Sequence, residues 1–352
     1  TDPTDPTDPT DPTDPTDLAV RARVLTILTT TEVKMKRVMV IDALNAYFRA
    51  YIVNPSLSKN GQPIGGYKGF LGILQKLCRE MKPDEIIIAW DGAGGSLRRK
   101  QINSNYKEGR KPIRLNRDVR VLTKDEEMQN KVWQQYRLME ILNFMPVIQL
   151  MADCVEADDI ISFISQSPRY RGWQKVIISS DKDFFQLCDD ETVLYRPIQK
   201  KFMNKPRLLE EFKIHPTNFA LARAMAGDSS DNLPGVKGVG LGTISKRLPF
   251  FAEEKSVTIP ALIEFCENDN TGLKAFSSIC EAEEIITENY KIMQLYSPSM
   301  SINDKSRVKH TLDNFEPEFN KTEVIKRMAE DGFGNWDTSD LFSTFKRISS
   351  KA

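Results

Sequence analysis

Carboxylates recur in five short segments, most of them where an apolar run breaks off: Asp42; Asp91; Glu156, Asp158 and Asp159 in Val-Glu-Ala-Asp-Asp; Asp181 and Asp183 in Ser-Ser-Asp-Lys-Asp; and Asp228 and Asp231 in Gly-Asp-Ser-Ser-Asp-Asn. Gathered at one place, such groups repel unless cations lie between them. Oxygen-only ligands suit hard Mg²⁺ or Mn²⁺, and this many acids can hold two ions. A pair of ions ~3.5–4 Å apart activates water and stabilises the leaving oxygen of a phosphodiester. A single Asp at a strand end also serves as a turn former or helix N-cap, and Asp159 and Asp228 could be no more than that. Five acidic segments at successive element boundaries point to a shared metal site.

Two further segments carry chemistry of the opposite charge. Residues 96–124 hold Arg98, Arg99, Lys100, Lys107, Arg110, Lys111, Arg114, Arg117, Arg120 and Lys124 among few apolar residues, which fits a polyanion contact or a solvated basic loop. Asn232-Leu-Pro-Gly235-Val-Lys-Gly238-Val-Gly240-Leu-Gly242 reads as helix, tight turn, helix. Glycines let the backbone turn closely, and amides at the next helix start can face a phosphate. With Lys237 and Lys246 beside it, this looks like a helix–hairpin–helix, an element that grips the DNA backbone without reading bases. The 49 Lys+Arg and 49 Asp+Glu balance, but residues 1–17 contain six Asp and no cation, so the remainder is basic. A basic body around an acidic site suits a polyanionic substrate handled through metal ions.

The elements that must position these residues are legible as apolar runs. Arg37–Asp42, Glu85–Asp91, Pro146–Leu150 and Lys175–Ser179 read as buried strands, and 66–82, 131–145 and 155–165 as helices. Strands alternating with helices argue a mostly parallel central sheet flanked by helices, an α/β fold. Ligands of such folds gather at the carboxyl ends of the strands, where Asp42, Asp91 and Asp181 fall. From about Arg207 the pattern is helical. The expected division is a Thr-Asp-Pro tail or leader over 1–34, an α/β domain over 35–205 with a basic arch at about 96–124, and a helical DNA-binding region over 206–352 containing the hairpin at about 226–248.

Five scattered cysteines without a C-x-x-C pair spell neither a zinc site nor a disulfide framework. Two histidines far apart in sequence argue against a His-centred triad. No apolar run approaches the ~18–20 residues of a membrane span, so a soluble, cytoplasmic protein is expected; a monomer is the expected assembly state.

The combination of Ala226–Gly240, Val155–Asp159, Ser180–Asp183 and Tyr106-Lys-Glu-Gly-Arg110, in that family's order, resembles the metal-dependent 5′-nucleases: flap endonucleases and 5′→3′ exonucleases, including the 5′-nuclease part of DNA polymerase I and freestanding phage enzymes of the T-even RNase H type. The resemblance runs from about Arg37 to Leu248 and implies a PIN-like fold. It implies that Asp42, Asp91, Glu156 and Asp158 surround a first Mg²⁺, and Asp181, Asp183 and Asp231 a second, with Asp158 able to lie between them. Asp159 and Asp228 match supporting acidic positions. Lys107 and Arg110 match arch residues that hold the scissile phosphate, with Arg98 and Arg99 upstream in the same basic segment. Phe48 and Arg49 match an aromatic and basic pair near the terminal nucleotide, and Gly235, Lys237, Gly238, Gly240 and Lys246 the duplex-gripping hairpin, where K⁺ is a further candidate. The implied substrates are DNA and RNA–DNA hybrids with 5′ ends or flaps, such as primers in replication, and the implied partners include a single-strand-binding protein or clamp. A structure-specific DNA-binding protein with a degraded site, or a PIN-like metal-dependent RNase, remain alternatives.

Overall fold

The apolar run Val38–Ile41 is buried on both sides because it forms the central strand of a sheet with a helical layer on each face. The computed structural model describes residues 35–119 and 122–350, so the tail expected over 1–34 and Arg120 lie outside the described residues. The strands are β1 (Arg37–Asp42), β2 (Glu85–Ala89), β3 (Ile148–Leu150), β4 (Gln174–Ile178), β5 (Thr192–Arg196) and β6 (Lys201–Met203). Their order is β3-β2-β1-β4-β5-β6, all parallel except β6, which turns back antiparallel on β5. Ile41 is registered with Ile88 on one side and Ile178 on the other. The chain steps outward from β1 to β3 and then returns to β4 across β1, so the crevice beyond β1 and β4 is a topological switch point, the place where open α/β sheets bind ligands. Asp42 ends β1, and Asp181 follows β4 by three residues.

The helices are α1 (Ala43–Val53), α2 (Gly65–Met81), α3 (Leu97–Ile102), α4 (Lys124–Leu142), α5 (Ala157–Ser165), α6 (Lys205–Phe212), α7 (Pro216–Ala226), α8 (Leu241–Arg247), α9 (Ile259–Glu267), α10 (Lys274–Glu281), α11 (Glu283–Met293), α12 (Ile302–Asp313), α13 (Lys321–Glu330) and α14 (Ser339–Ser349). Strand side chains alternate between the two layers. Val38, Val40, Ile87 and Ile177 join α5, α7 and the helices from α8 to α12, whereas Met39, Ile41, Ile88 and Ile178 join α1, α2, α4, α13 and α14.

One expectation is corrected here. The helix expected at 131–145 begins at Lys124, because Thr123 accepts from the Glu126 amide while the Glu126 carboxylate accepts from the Thr123 amide. Val324, Met328, Leu341, Phe345 and Ile348 of α13 and α14 are buried in the same cluster as Met39 and Ile88, so these late helices pack on the sheet itself. Arg37 onward is one compact unit. No helix among the described residues is long and apolar enough to cross a membrane.

Candidate metal centre and nucleic-acid interface

Four of the acidic segments sit on strand ends and the helix starts beside them. Asp42 ends β1 and also caps α1, accepting from the Asn45 amide at 3.2 Å and from the buried Ser179 hydroxyl at 2.9 Å. Asp91 follows β2 and accepts from the Ala157 amide at 2.8 Å, so it caps α5 from a distance and pins Glu156 and Asp158 to its own strand end. After β4, the Asp183 amide donates to Asp181 Oδ1 at 2.8 Å, tightening the Ser-Asp-Lys-Asp turn. Asp158, Asp183 and Asp231 line one small cavity with Arg99 and Tyr106.

The electrostatics of this cluster are those of crowded acids. Burial, then the charges of Asp91 and Asp181, push the Asp42 carboxyl up to about 7. Burial, then Asp181, push Asp183 up to about 7 as well. Asp158 is raised well above the ordinary aspartate range by burial and by Asp181, Asp42 and Glu156. Glu156 is different: burial works to raise it, but Arg99 and Lys107 outweigh that and hold it below the usual glutamate value. Among the described residues no three Asp, Glu, His or Cys side chains already enclose a point where an ion would sit. The carboxylates stand as mutually repelling neighbours around the cavity. All are hard oxygen donors, and a cation among them would relieve the mutual repulsion that adds to burial in raising their pKa values, so the set fits Mg²⁺ or Mn²⁺.

The arch reaches this cluster directly. Lys107 Nζ pairs with Glu156 Oε1 at 2.7 Å, the Tyr106 hydroxyl donates to Glu156 Oε2 at 3.2 Å, and Arg110 pairs with Asp231. Backbone contacts hold the two segments together: the Lys107 amide donates to Asp231 O at 2.8 Å, and Asn232 Nδ2 to Asn105 O at 3.0 Å. Within the segment expected as the arch, residues 97–102 form α3, and Arg114 is tied to Glu127 of α4 at 2.9 Å.

Several expected roles are reassigned. Arg99 is buried rather than facing nucleic acid: its guanidinium meets Asp159 at 2.7 Å, Glu156 at 3.2 Å and Ile292 O at 3.0 Å. Arg98 donates to Ser299 O at 2.6 Å and pairs with Asp304 at 3.6 Å, tying α3 to the start of α12. Asp159 accepts from Arg99 on one oxygen and from the Ser299 amide on the other, at 2.7 Å each, so it brackets α3 to the segment before α12. Asp228 likewise has both oxygens taken, by Arg223 and by the Ser230 amide and hydroxyl. Phe48 packs edge-on to Tyr47, with ring centroids 5.4 Å apart, against the core. Arg49, Lys237 and Lys246 carry no ion pair among the described residues, and the two lysines are exposed.

Sequence reasoning missed Arg223. From α7 it donates to Asp183 Oδ1 at 2.8 Å and to Gly227 O at 3.2 Å, and pairs with Asp228, joining the Ser-Asp-Lys-Asp turn to the hairpin. The signal was present, since Arg223 is a lone charge in the apolar run Phe219-Ala-Leu-Ala-Arg-Ala-Met-Ala226. Gly227 (φ 72°) makes the turn out of α7, Asp228 bridges to Leu233, and the chain enters α8 at Leu241. Asn289 of α11 donates to Ala224 O and Pro234 O at 3.0 and 2.8 Å, holding both sides of the hairpin.

A parallel sheet with converging acids at its switch point, a basic arch over them and a glycine hairpin beside them defines a resolvase-like nuclease architecture. Residues 37–213 match the family described as 5′-3′ exonuclease, N-terminal resolvase-like domain, and the chain belongs to that family. It is 27% identical over 211 residues to a 5′-3′ exonuclease of Aquifex aeolicus, covering 58% of this chain and 66% of that one. It is 28% identical to a thermostable DNA polymerase I of Thermus aquaticus, covering 60% of this chain but 24% of the polymerase. Flap endonuclease Xni of Shewanella baltica is 27% identical over 261 residues, 74% of this chain and 90% of that protein. Among solved structures, the T5 5′-exonuclease with bound zinc superposes with a TM-score of 0.63 at 17% identity, over 79% of this chain and 99% of that one, which shows the shared fold.

Proposed function

We propose that this chain is a divalent-metal-dependent 5′-nuclease that hydrolyses phosphodiesters at or near the 5′ ends of flaps, nicked duplexes or RNA–DNA hybrids. The observation that carries this reading is the crowding of Asp42, Asp158, Asp181 and Asp183 at the switch point, with carboxyls driven up in pKa by burial and by one another. The names of the relatives, 5′-3′ exonuclease and flap endonuclease, agree with it. Asp42, Asp91, Glu156 and Asp158 would hold one ion, and Asp181, Asp183 and Asp231 the other. Mg²⁺ or Mn²⁺ bound there supplies a polarised water and charge stabilisation at the departing oxygen.

The chain's own residues do the rest. Ser179 and the Asn45 amide orient the Asp42 carboxylate, and the Ala157 amide orients Asp91. Arg223 engages Oδ1 of Asp183 and so fixes which way that carboxylate faces. Lys107 and Arg110 are cations held at the acids by the arch, placed to accept a phosphate in exchange for Glu156 and Asp231. Lys237 and Lys246 extend the contact along the duplex backbone. Primer removal in replication, with a single-strand-binding protein or clamp as partner and K⁺ at the hairpin, belongs to the same proposal.

The test sets end-labelled 5′-flap, nicked-duplex and RNA–DNA hybrid substrates beside an uninterrupted blunt duplex, in Mg²⁺ and in EDTA. Metal-dependent cleavage at the 5′ end or junction is expected, and Asp183→Asn should slow it by at least ~100-fold while junction affinity in EDTA changes little. Tight junction binding with no cleavage in either Mg²⁺ or Mn²⁺ would make the chain a DNA-binding protein instead. Preference for single-stranded RNA over flap DNA would make it a PIN-like RNase.

A further inference from the structure

The cations around the acidic crevice can be paired off one by one. Arg99 is matched by Glu156 and Asp159, Lys107 by Glu156, Arg110 by Asp231, and Arg223 by Asp183 and Asp228. Arg196, Arg49 and Lys182 are left without an ion pair among the described residues, and of these Arg196 ends a strand of the sheet. That strand is β5, beside β4.

Its placement is nevertheless fixed. Nη2 donates to Ser180 O at 3.2 Å, in the turn that carries Asp181, and the guanidinium lies 5.6 Å from the Phe185 ring centroid. Nε is buried with no hydrogen-bond partner. From the other side, Asn45 of α1 accepts from the Ser180 amide at 3.1 Å, and Arg49 follows one helical turn later, also without an ion pair among the described residues. Two cations therefore bracket the Ser180–Asp181 turn on the β5 side of the crevice, whereas Lys107 enters beside Asp91 and Glu156 on the β2 side.

The Arg196 guanidinium is half-buried and charged, with the Ser180 carbonyl, the Phe185 ring and the more distant charges of Asp181 and Glu211 around it, but with no carboxylate at ion-pair distance. A phosphate would supply the missing counter-charge through the Nη groups, the buried Nε being out of its reach. We propose that Arg196 binds a backbone phosphate of the nucleic acid, on the β5 side of the crevice and away from the phosphodiester at the acids, with Arg49 as the second donor. The proposal rests on the nuclease reading and adds a strand-positioning contact to it.

The test measures binding of a 5′-flap duplex and a nicked duplex by fluorescence anisotropy, in EDTA, across a salt series, with full-length wild type, Arg196→Gln and Arg196→Lys. Arg196→Gln should weaken both substrates by about 5- to 10-fold and reduce the slope of log affinity against log salt by about one unit, the signature of one lost phosphate contact. Arg196→Lys should restore the slope. Arg196→Gln gives up the bond to Ser180 O and the Phe185 contact, so its melting temperature should fall by no more than a few degrees, too little to account for a lost salt slope. Wild-type affinity and slope in Arg196→Gln would overturn the proposal, and so would a larger fall in melting temperature with a slope that lysine fails to restore. A wild type that bound these duplexes without salt dependence would overturn the nuclease reading itself, and this proposal with it.

Discussion

At the scale of the residue, the acids were legible and their partners were not. Asp42, Asp91 and Asp181 were marked by the apolar runs they follow, but nothing in 96–124 separates Arg99 from Lys107. The difference is made by distant chain: Arg99 is enclosed through Ile292 O, 193 residues on, and its partner Asp159 through the Ser299 amide, 140 residues on. A guanidinium so enclosed is expensive to orphan and its carboxylates equally so. Arg99→Met is therefore expected to lower stability by about 3–5 kcal/mol in urea titration, and Arg99→Lys to recover little, since one ammonium cannot reach all three acceptors. Lys175 offers a second case. It is buried on β4 with Glu191 at 2.7 Å, and the hydrogen bond from Lys175, against a small opposing effect of burial, holds the Glu191 carboxyl below its ordinary 4.5. A depressed carboxyl pKa stabilises the fold fully above the unfolded value and loses that contribution as pH falls through the folded one. Wild type should thus be more stable than Glu191→Gln at neutral pH, with the gap closing below about pH 4.5 in melts taken across the acid range. A constant gap would mean that charge is not its cause.

At the scale of the element, long apolar runs gave β1, β2, β4, α2 and α5, whereas β5, β6 and the first two turns of α4 went unseen. β5 is Thr-Val-Leu-Tyr-Arg and β6 is three residues, too short for either period to declare itself. α4 buries Glu127, Asn130 and Gln134, polar residues satisfied by partners such as the Tyr67 amide, so its inward face does not look apolar. Of the hairpin's glycines, Gly235 is a steric necessity and Gly238 a conformational one at φ 77°, while others are open. A Cβ on Gly235 would lie 2.2 Å from Ala226 O, whereas one on Gly240 would meet nothing within 4 Å. Gly235→Ala should cost about 1–3 kcal/mol or more and weaken duplex binding. Gly240→Ala should stay within about 0.5 kcal/mol of wild type. Equal effects of the two in chemical denaturation would refute this account of the turn.

At the scale of the whole molecule, local pattern could not reveal that α13 and α14 return to the far side of the sheet. Lys68 of α2 donates to Phe333 O at 2.9 Å and Gln75 to Asp337 O at 2.7 Å, and Phe345 is fully buried in the cluster that holds Met39. Phe345→Ala should accordingly lower the stability of the sheet itself by about 3–5 kcal/mol, in one cooperative transition. Two separate transitions, with the larger unmoved, would show the terminal helices to be an independent module. The same return sets a clock. Lys68 and Phe333 are 265 residues apart and Arg79 and Asp340 are 261, so at ribosomal rates of 5–20 residues per second α2 waits about 13 to 53 s for the helix that covers it. During that interval its outer face is bare apolar surface on a nascent chain. The pace of translation, and not only the strength of the finished core, therefore bears on how long that face stays open to chaperones or to neighbouring chains.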